Sequence, residues 1–309
     1  MTELKVEVEA DEVGFDAKRL GRIDTHFARY VDDGRLPGWL ILISRAGKIV
    51  HLGLYGQRDR EAGTPVERDT LFRIYSMTKP ITAVAAMILY EEGAFELKDP
   101  VSRFIPAFAD VRVYRSGSAL KPVTEPLREP VRIWHLLTHT AGLTYGFHHA
   151  HPVDALYRAA GFEWGPLEGM DLATCCDAWA GLPLLFQPGS EWNYSVATDV
   201  LGRVIEIVSG LSLDRFFAER IFEPLGMHDT RFWVSAENVE RLAAFYSPQP
   251  GTLRAVRNDA MDRVGRRRPA ACLGGAVPTR RRRVWRARPV SGERNPPVPC
   301  RARPGRASI

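Results

Sequence analysis

Ser76 and Lys79 stand three residues apart in Leu71-Phe72-Arg73-Ile74-Tyr75-Ser76-Met77-Thr78-Lys79-Pro80, a spacing that puts a hydroxyl beside an amine on one side of a helix. A serine hydroxyl is a weak nucleophile until a neighbour takes its proton, and an amine at the positive end of a helix dipole can assist that transfer. A Ser that merely caps the helix, followed by a solvated Lys, would read the same way. S-x-x-K arises by chance about once in a chain of this length, so the remaining residues decide between the two. Tyr194 offers a second hydroxyl, and with Ser195 it directly precedes an apolar helical stripe. A nearby ammonium favours the phenolate, and a phenolate can polarise a serine hydroxyl. The plain alternative is a half-buried aromatic with a satisfied hydroxyl. His135 and His139 have the i, i+4 spacing of metal ligands, but Leu136 replaces the Glu of a zinc-peptidase helix and loop anchoring accounts for both rings. The sequence carries no G-x-S-x-G elbow, P-loop or G-x-G-x-x-G, and neither metal nor cofactor is expected.

These side chains need elements to hold them. Ile81, Val84, Ala85, Ile88 and Leu89 recur at i, i+3, i+4, i+7 and i+8, one face of a helix that Gly93 closes. Pro80 is tolerated in its first turn, where amides have no intrahelical acceptor. A helix is expected over 16–32, with Leu20, Ile23, Phe27 and Tyr30 or Val31 on one side. Two apolar strands, 39–44 and 48–55, flank the tight turn Arg45-Ala46-Gly47. Pro- and charge-rich loops run through 106–130, a short helix spans 131–138, and 144–170 read as a long loop or lid. Helices follow at 171–181 and 212–222. Between them, Val196, Val200, Leu201, Val204, Ile207 and Val208 form a stripe ended by Gly210.

The chain has 309 residues, 45% of them hydrophobic, enough for a sizeable core in one large domain or two smaller ones. No apolar run is long enough for a membrane span, and the charged N-terminus lacks a signal core, so a cytoplasmic product is expected. Cys175 and Cys176 are adjacent, Cys272 and Cys300 lie far downstream, and no C-x-x-C occurs, so no disulfide framework or metal knuckle is indicated. The net charge of +5 is uneven. Residues 254–309 hold 16 Arg, no Lys and three acids, whereas residues 1–253 hold 26 bases against 34 acids.

Taken in order, these strings resemble the serine β-lactamase and penicillin-binding-protein superfamily, most closely the family VIII carboxylesterases, which look like class C β-lactamases. The resemblance covers about 15–250. It rests on Ser76-Met77-Thr78-Lys79, Leu97-Lys98-Asp99-Pro100-Val101 and His135-Leu136-Leu137-Thr138-His139-Thr140-Ala141-Gly142-Leu143. Pro188-Gly189, Tyr194-Ser195-Val196 and Phe222-Glu223-Pro224-Leu225-Gly226-Met227 follow in the family's order. It implies an α/β (α+β) fold, a helical part over about 76–230 beside an antiparallel sheet with its own helices. By position it implies Ser76 as the nucleophile that forms an acyl-enzyme, with Lys79 shifting its proton or holding Tyr194 as phenolate. Tyr194 would also protonate the leaving group. Ser195 and Trp192 would contact substrate, and Val196 in place of the Asn of class C lactamases leans toward esters. The implied substrate is a small ester or amide, with short-chain carboxylic ester hydrolysis as the activity; β-lactam or D-Ala peptide hydrolysis, or ligand binding by an inactive homologue, are the alternatives.

The resemblance also implies a third element, a Lys-Thr-Gly, His-x-Gly or Trp-Gly-Gly strand whose backbone gives the second oxyanion amide. Residues 254–309 show no such strand; Arg266-Arg267-Arg268-Pro269 and Pro278-Thr279-Arg280-Arg281-Arg282-Arg283 are typical of them. The expectation is therefore a truncated domain over 1–253 and a disordered Arg/Pro-rich tail over 254–309, of the composition a shifted reading frame of a GC-rich gene would give. Without later strands the hairpin of 39–55 would stand alone and be marginal in water. A basic arm for nucleic acid or anionic membrane is the rival reading of the tail, but the absence of Lys and of interleaved aromatics argues against it, and no nucleic-acid partner is expected. Oligomeric state has no signature in the sequence.

Overall fold

The structure, a computed structural model, describes residues 4–167 and 169–262, and the backbone of 276–277. Asp16 starts the first helix by accepting the Arg19 N–H, and α1 (Ala17–Asp32) runs to a turn containing Gly34 at φ +80°. The hairpin β1 (Gly38–Arg45) and β2 (Lys48–Asp59) follows, turned by Ala46 and Gly47, both at positive φ. That two-residue geometry matches the right-handed twist of the strands. Val8, Ala10, Leu20 and Val50 form a small core between α1, the N-terminal segment and the hairpin, and β3 (Thr64–Pro65) pairs with the far end of β2. The hairpin is thus not isolated, because a helix and a third strand lie against it.

β4 (Phe72–Arg73) leads through a short 3-10 turn, Tyr75–Met77, into α2 (Thr78–Glu91). The buried side of α2 is Thr78, Thr82, Ala85, Ala86 and Leu89, rotated from the expected stripe. Ile81 and Ile88 sit at its margin and Val84 is 51% exposed, because the helical body packs on α2 from one side only. Where the sequence suggests loops through 106–130, a hairpin forms from β5 (Arg112–Ser118) and β6 (Lys121–Pro126), tied to the body by the Tyr114 N–H to Leu184 O bond.

α3 (Ile133–Leu137) is the short helix expected there. The stretch 144–170 contains a further helix, α4 (Pro152–Ala159), with Pro152 in its first turn and Val153 and Tyr157 buried. Asp154 closes its start by accepting the Ala150 and His151 N–H groups. α5 (Leu172–Ala180) is capped by Asp171, and α6 (Ala197–Ser209) ends at Gly210 with φ +71°. α7 (Leu213–Phe217) passes into a π turn, Ala218–Phe222, so the span 212–222 is two kinds of turn and not one helix. α6 is the axis of the body: α2, α3, α5 and α7 pack on it, around Val200, Leu201, Val204, Ile205, Trp179 and Phe216.

Folded structure continues past residue 253, a correction to the tail boundary. β7 (Tyr246–Pro248) pairs with β8 (Ala255–Arg257), and a helical turn, α8 (Asp259–Asp262), follows. Arg257 bridges Asp59 of β2 at 2.9 Å and Asp262 at 3.2 Å. Arg73 reaches Ala243 O at 2.5 Å and the Asp262 carboxylate at 3.2 Å. The backbone of β9 (Ala276–Val277) pairs with β4 just ahead of Ser76. The rest of the Arg-rich tail, and with it any third catalytic strand there, lies outside the described residues. The fold is α/β, a helical body beside antiparallel strands, as every pairing between named strands is antiparallel. No described helix is long and apolar enough to cross a membrane.

Candidate active site

Leu71 is bracketed by the backbone of 241–243, which fixes the approach to the 3-10 turn. Tyr75 then takes φ +43°, an unfavourable conformation for a bulky side chain, and presents the next residue at the surface. That residue is Ser76, exposed, with its hydroxyl in no helix cap. Tyr194 Oη lies 2.5 Å from Ser76 Oγ and Lys79 Nζ lies 3.4 Å from it. Lys79 Nζ also stands 4.7 Å from the centroid of the Tyr194 ring and 5.6 Å from that of Tyr145. One ammonium therefore faces two aromatic rings and the nucleophile at once.

Tyr194 is held from several sides. The Asn193 N–H bonds to His139 O at 2.9 Å, and its amide donates to Leu143 O at 3.0 Å and to Tyr194 O at 3.2 Å. His148 Nε2–H donates to Tyr194 O at 2.7 Å. The His139 ring packs 5.0 Å from the Tyr194 ring, and Tyr145 packs on another side at 5.5 Å. Burial, aided by the Lys79 charge, lowers His139 to about 4, so it is neutral at pH 7. Behind Tyr145, Asp199 in the first turn of α6 is buried and receives the Tyr145 hydroxyl at 3.5 Å. Burial pushes Asp199 up to about 6, and it pushes the Tyr145 phenol further up, which keeps that hydroxyl protonated.

The structure brings Ser76, Lys79 and Tyr194 together. Trp192, two residues ahead of Tyr194, is 66% exposed with its ring 6.3 Å from His139, and Met77 beside Ser76 is 68% exposed. Both are open apolar surface flanking the serine–tyrosine contact. Ser195, expected to touch substrate, is 1% exposed; its Oγ accepts the Ala197 N–H and meets His139 Nδ1 at 3.3 Å. It starts α6 and orients His139. Val196 is likewise in the core, with no surface to offer a ligand. His135 and His139 do not share a face: His135 Nδ1 accepts the Arg132 N–H, while His139 lies past the end of α3 at φ +57°.

Tyr145, His148, Asn193 and Asp199 are the site-supporting residues that sequence reasoning misses. Each acts across a long chain separation, and only the clustering of aromatics and His after Leu143 hints at them. Chemically, a hydroxyl with two proton-handling neighbours and open space in front can attack an acyl carbon.

The β-lactamase family model matches residues 23–279. Protein Rv1367c of Mycobacterium tuberculosis is 40% identical over 219 residues, 70% of this chain and 52% of its own length. Esterase EstB of Burkholderia gladioli is 38% identical over 239 residues, 77% of this chain and 57% of its own. The solved structure of EstCE1, described as a hydrolase with promiscuous acyltransferase activity, aligns with a TM-score of 0.66 at 34% identity, covering 78% of this chain and 59% of that one. The chain spans about half the length of the curated relatives it matches.

Proposed function

This chain belongs to the β-lactamase family, and from that premise we propose that it is a serine hydrolase of short-chain carboxylic esters, working through an acyl-enzyme on Ser76. The observation that carries the reading is the shared position of Ser76 Oγ, 2.5 Å from Tyr194 Oη and 3.4 Å from Lys79 Nζ on an exposed turn. Tyr194, as phenolate beside the Lys79 ammonium, takes the Ser76 proton while Oγ bonds to the acyl carbon and the carbonyl electrons move to oxygen. Collapse of that tetrahedral species breaks the bond to the leaving oxygen, to which Tyr194 returns the proton. Water then repeats the sequence on the acyl-enzyme and frees the acid. The Ser76 backbone N–H serves as the first oxyanion donor.

Esters are favoured over β-lactams for two reasons. Val196 is apolar and buried, so it offers a lactam side chain no polar contact, and Met77 and Trp192 make an apolar rim suited to an acyl chain. EstB, a relative covering most of this chain, is named an esterase. Acyl transfer to an alcohol is the second reading: EstCE1 is described as having that activity, and an exposed acyl-enzyme admits an alcohol as readily as water. The test is steady-state turnover of p-nitrophenyl butyrate by the intact chain and by Ser76→Ala. The proposal expects turnover that falls at least ~10³-fold in the variant. An intact chain without turnover, or a variant that keeps it, contradicts the proposal.

A further inference from the structure

Asp199 is a buried carboxylate that the proton transfers above do not use. Asp154, the comparable acid nearby, accepts three hydrogen bonds, from Thr144 Oγ1, Ala150 N and His151 N, at 2.8–3.0 Å. Asp199 has one long side-chain partner, Tyr145 Oη at 3.5 Å, although it is 3% exposed. A first-turn acid favours the helix dipole, but an exposed one does that without the desolvation cost. α2 packs on α6, and Lys79 Nζ on α2 stands 5.6 Å from the centroid of the Tyr145 ring whose hydroxyl Asp199 accepts.

We infer that Asp199 is a positioning residue: it accepts the Tyr145 hydroxyl, the Tyr145 ring faces Lys79 Nζ, and this chain of contacts sets Lys79 beside Ser76 and leaves Tyr194 as the group that takes the serine proton. This rests on the acyl-transfer reading of the site. Protons balance, since Tyr194 alone gains and returns one, while Lys79 neither gains nor loses a proton and Asp199 stays a carboxylate throughout. Attraction between two opposite charges is reciprocal, so whatever neutralises Asp199 loosens its hold on the position of Lys79. α2 brings Lys79 toward Asp199, the loop after α3 brings Tyr145, α5 brings Cys175 and Cys176, and Arg203 lies one turn further along α6.

The carboxylate destabilises the fold when charged. The folded chain keeps the Asp199 proton up to a pH of about 6, against an ordinary value of 3.8. The penalty is therefore absent below pH 3.8 and complete above 6. The test uses the full chain, Asp199→Asn, Lys79→Met and the double variant, melted between pH 4 and 8. Asp199→Asn should raise Tm at pH 8 and leave it unchanged at pH 4, and the gain at pH 8 should be larger in the Lys79→Met background. In parallel, the rate of Ser76 labelling by a fluorophosphonate should fall about tenfold in Asp199→Asn and lose its acid limb near pH 6. A Tm gain equal with and without Lys79, a Tm loss at pH 8, or labelling with the original rate and limb would overturn the inference. If Ser76 is unlabelled in the intact chain, the acyl-transfer reading fails, and the melt coupling between Lys79 and Asp199 decides this one separately.

Discussion

Tyr194 is the residue on which the proposed chemistry turns, because its hydroxyl makes the shorter of the two contacts to Ser76 Oγ, 2.5 Å against 3.4 Å for Lys79 Nζ. Tyr194→Phe keeps the ring that Lys79 and His139 face and removes only the oxygen. Its fluorophosphonate labelling of Ser76 should slow by about 10²–10⁴, with Tm nearly unchanged. Equal rates would move the base role to Lys79. His139 gives a pH prediction of opposite sign to Asp199. An unfolded imidazole takes its proton near 6.5, while the folded ring refuses it until about 4. Stability attributable to His139 is therefore present above 6.5 and is lost as pH falls toward 4. His139→Asn, a side chain that tolerates positive φ, should remove that loss, a difference on the order of 1–2 kcal/mol given the ring's partial exposure, read from urea midpoints between pH 4 and 7. At this scale Ser76 and Lys79 are legible in the sequence because they are neighbours on one turn. The Tyr194 contact, 118 residues away, is not set by any local spacing and comes only from the family resemblance. Asp199 looks like an ordinary first-turn acid; only packing shows that it is buried.

Elements carry the residues to these positions, and their faces were less legible than their existence. α1, α2 and α6 follow from apolar period, α6 with its end at Gly210, the hairpin follows from two apolar runs about a tight turn, and α3 and α5 fall where short helices are expected. β5 and β6 are masked by Pro122 and Pro126, which a hairpin at the sheet edge tolerates. α4 is masked by the His- and Gly-rich residues around it. Period alone does not say which part of a broad apolar stripe is covered, and α2 shows the consequence. Leu89→Ala should cost about 2–5 kcal/mol, since that side chain is in the core, whereas Val84→Ser should change stability by less than about 0.5 kcal/mol. Denaturant midpoints of the two variants check this; equal losses would restore the stripe read from the sequence.

Across the whole molecule, a charged clasp joins the segment after residue 240 to the strand that delivers Ser76. Arg73, nearly buried, meets Asp262, and Arg257 ties Asp262 to Asp59 of β2. The Arg-rich composition after 253 hides this, because residues 254–262 and the rest of the tail share the same residue types. Asp262→Ala should cost about 3–5 kcal/mol by removing a carboxylate from a buried cation, and should disturb the turn at Tyr75, slowing Ser76 labelling. A neutral effect would mean that the clasp is peripheral to the site. The central claim is that Ser76 is an acylated nucleophile, and its most direct measurement is mass-spectrometric mapping of the intact chain after reaction with a fluorophosphonate. A single adduct on the peptide containing Ser76, absent in Ser76→Ala, is the predicted result; an unmodified Ser76, or an adduct on another residue that persists in the variant, would contradict it.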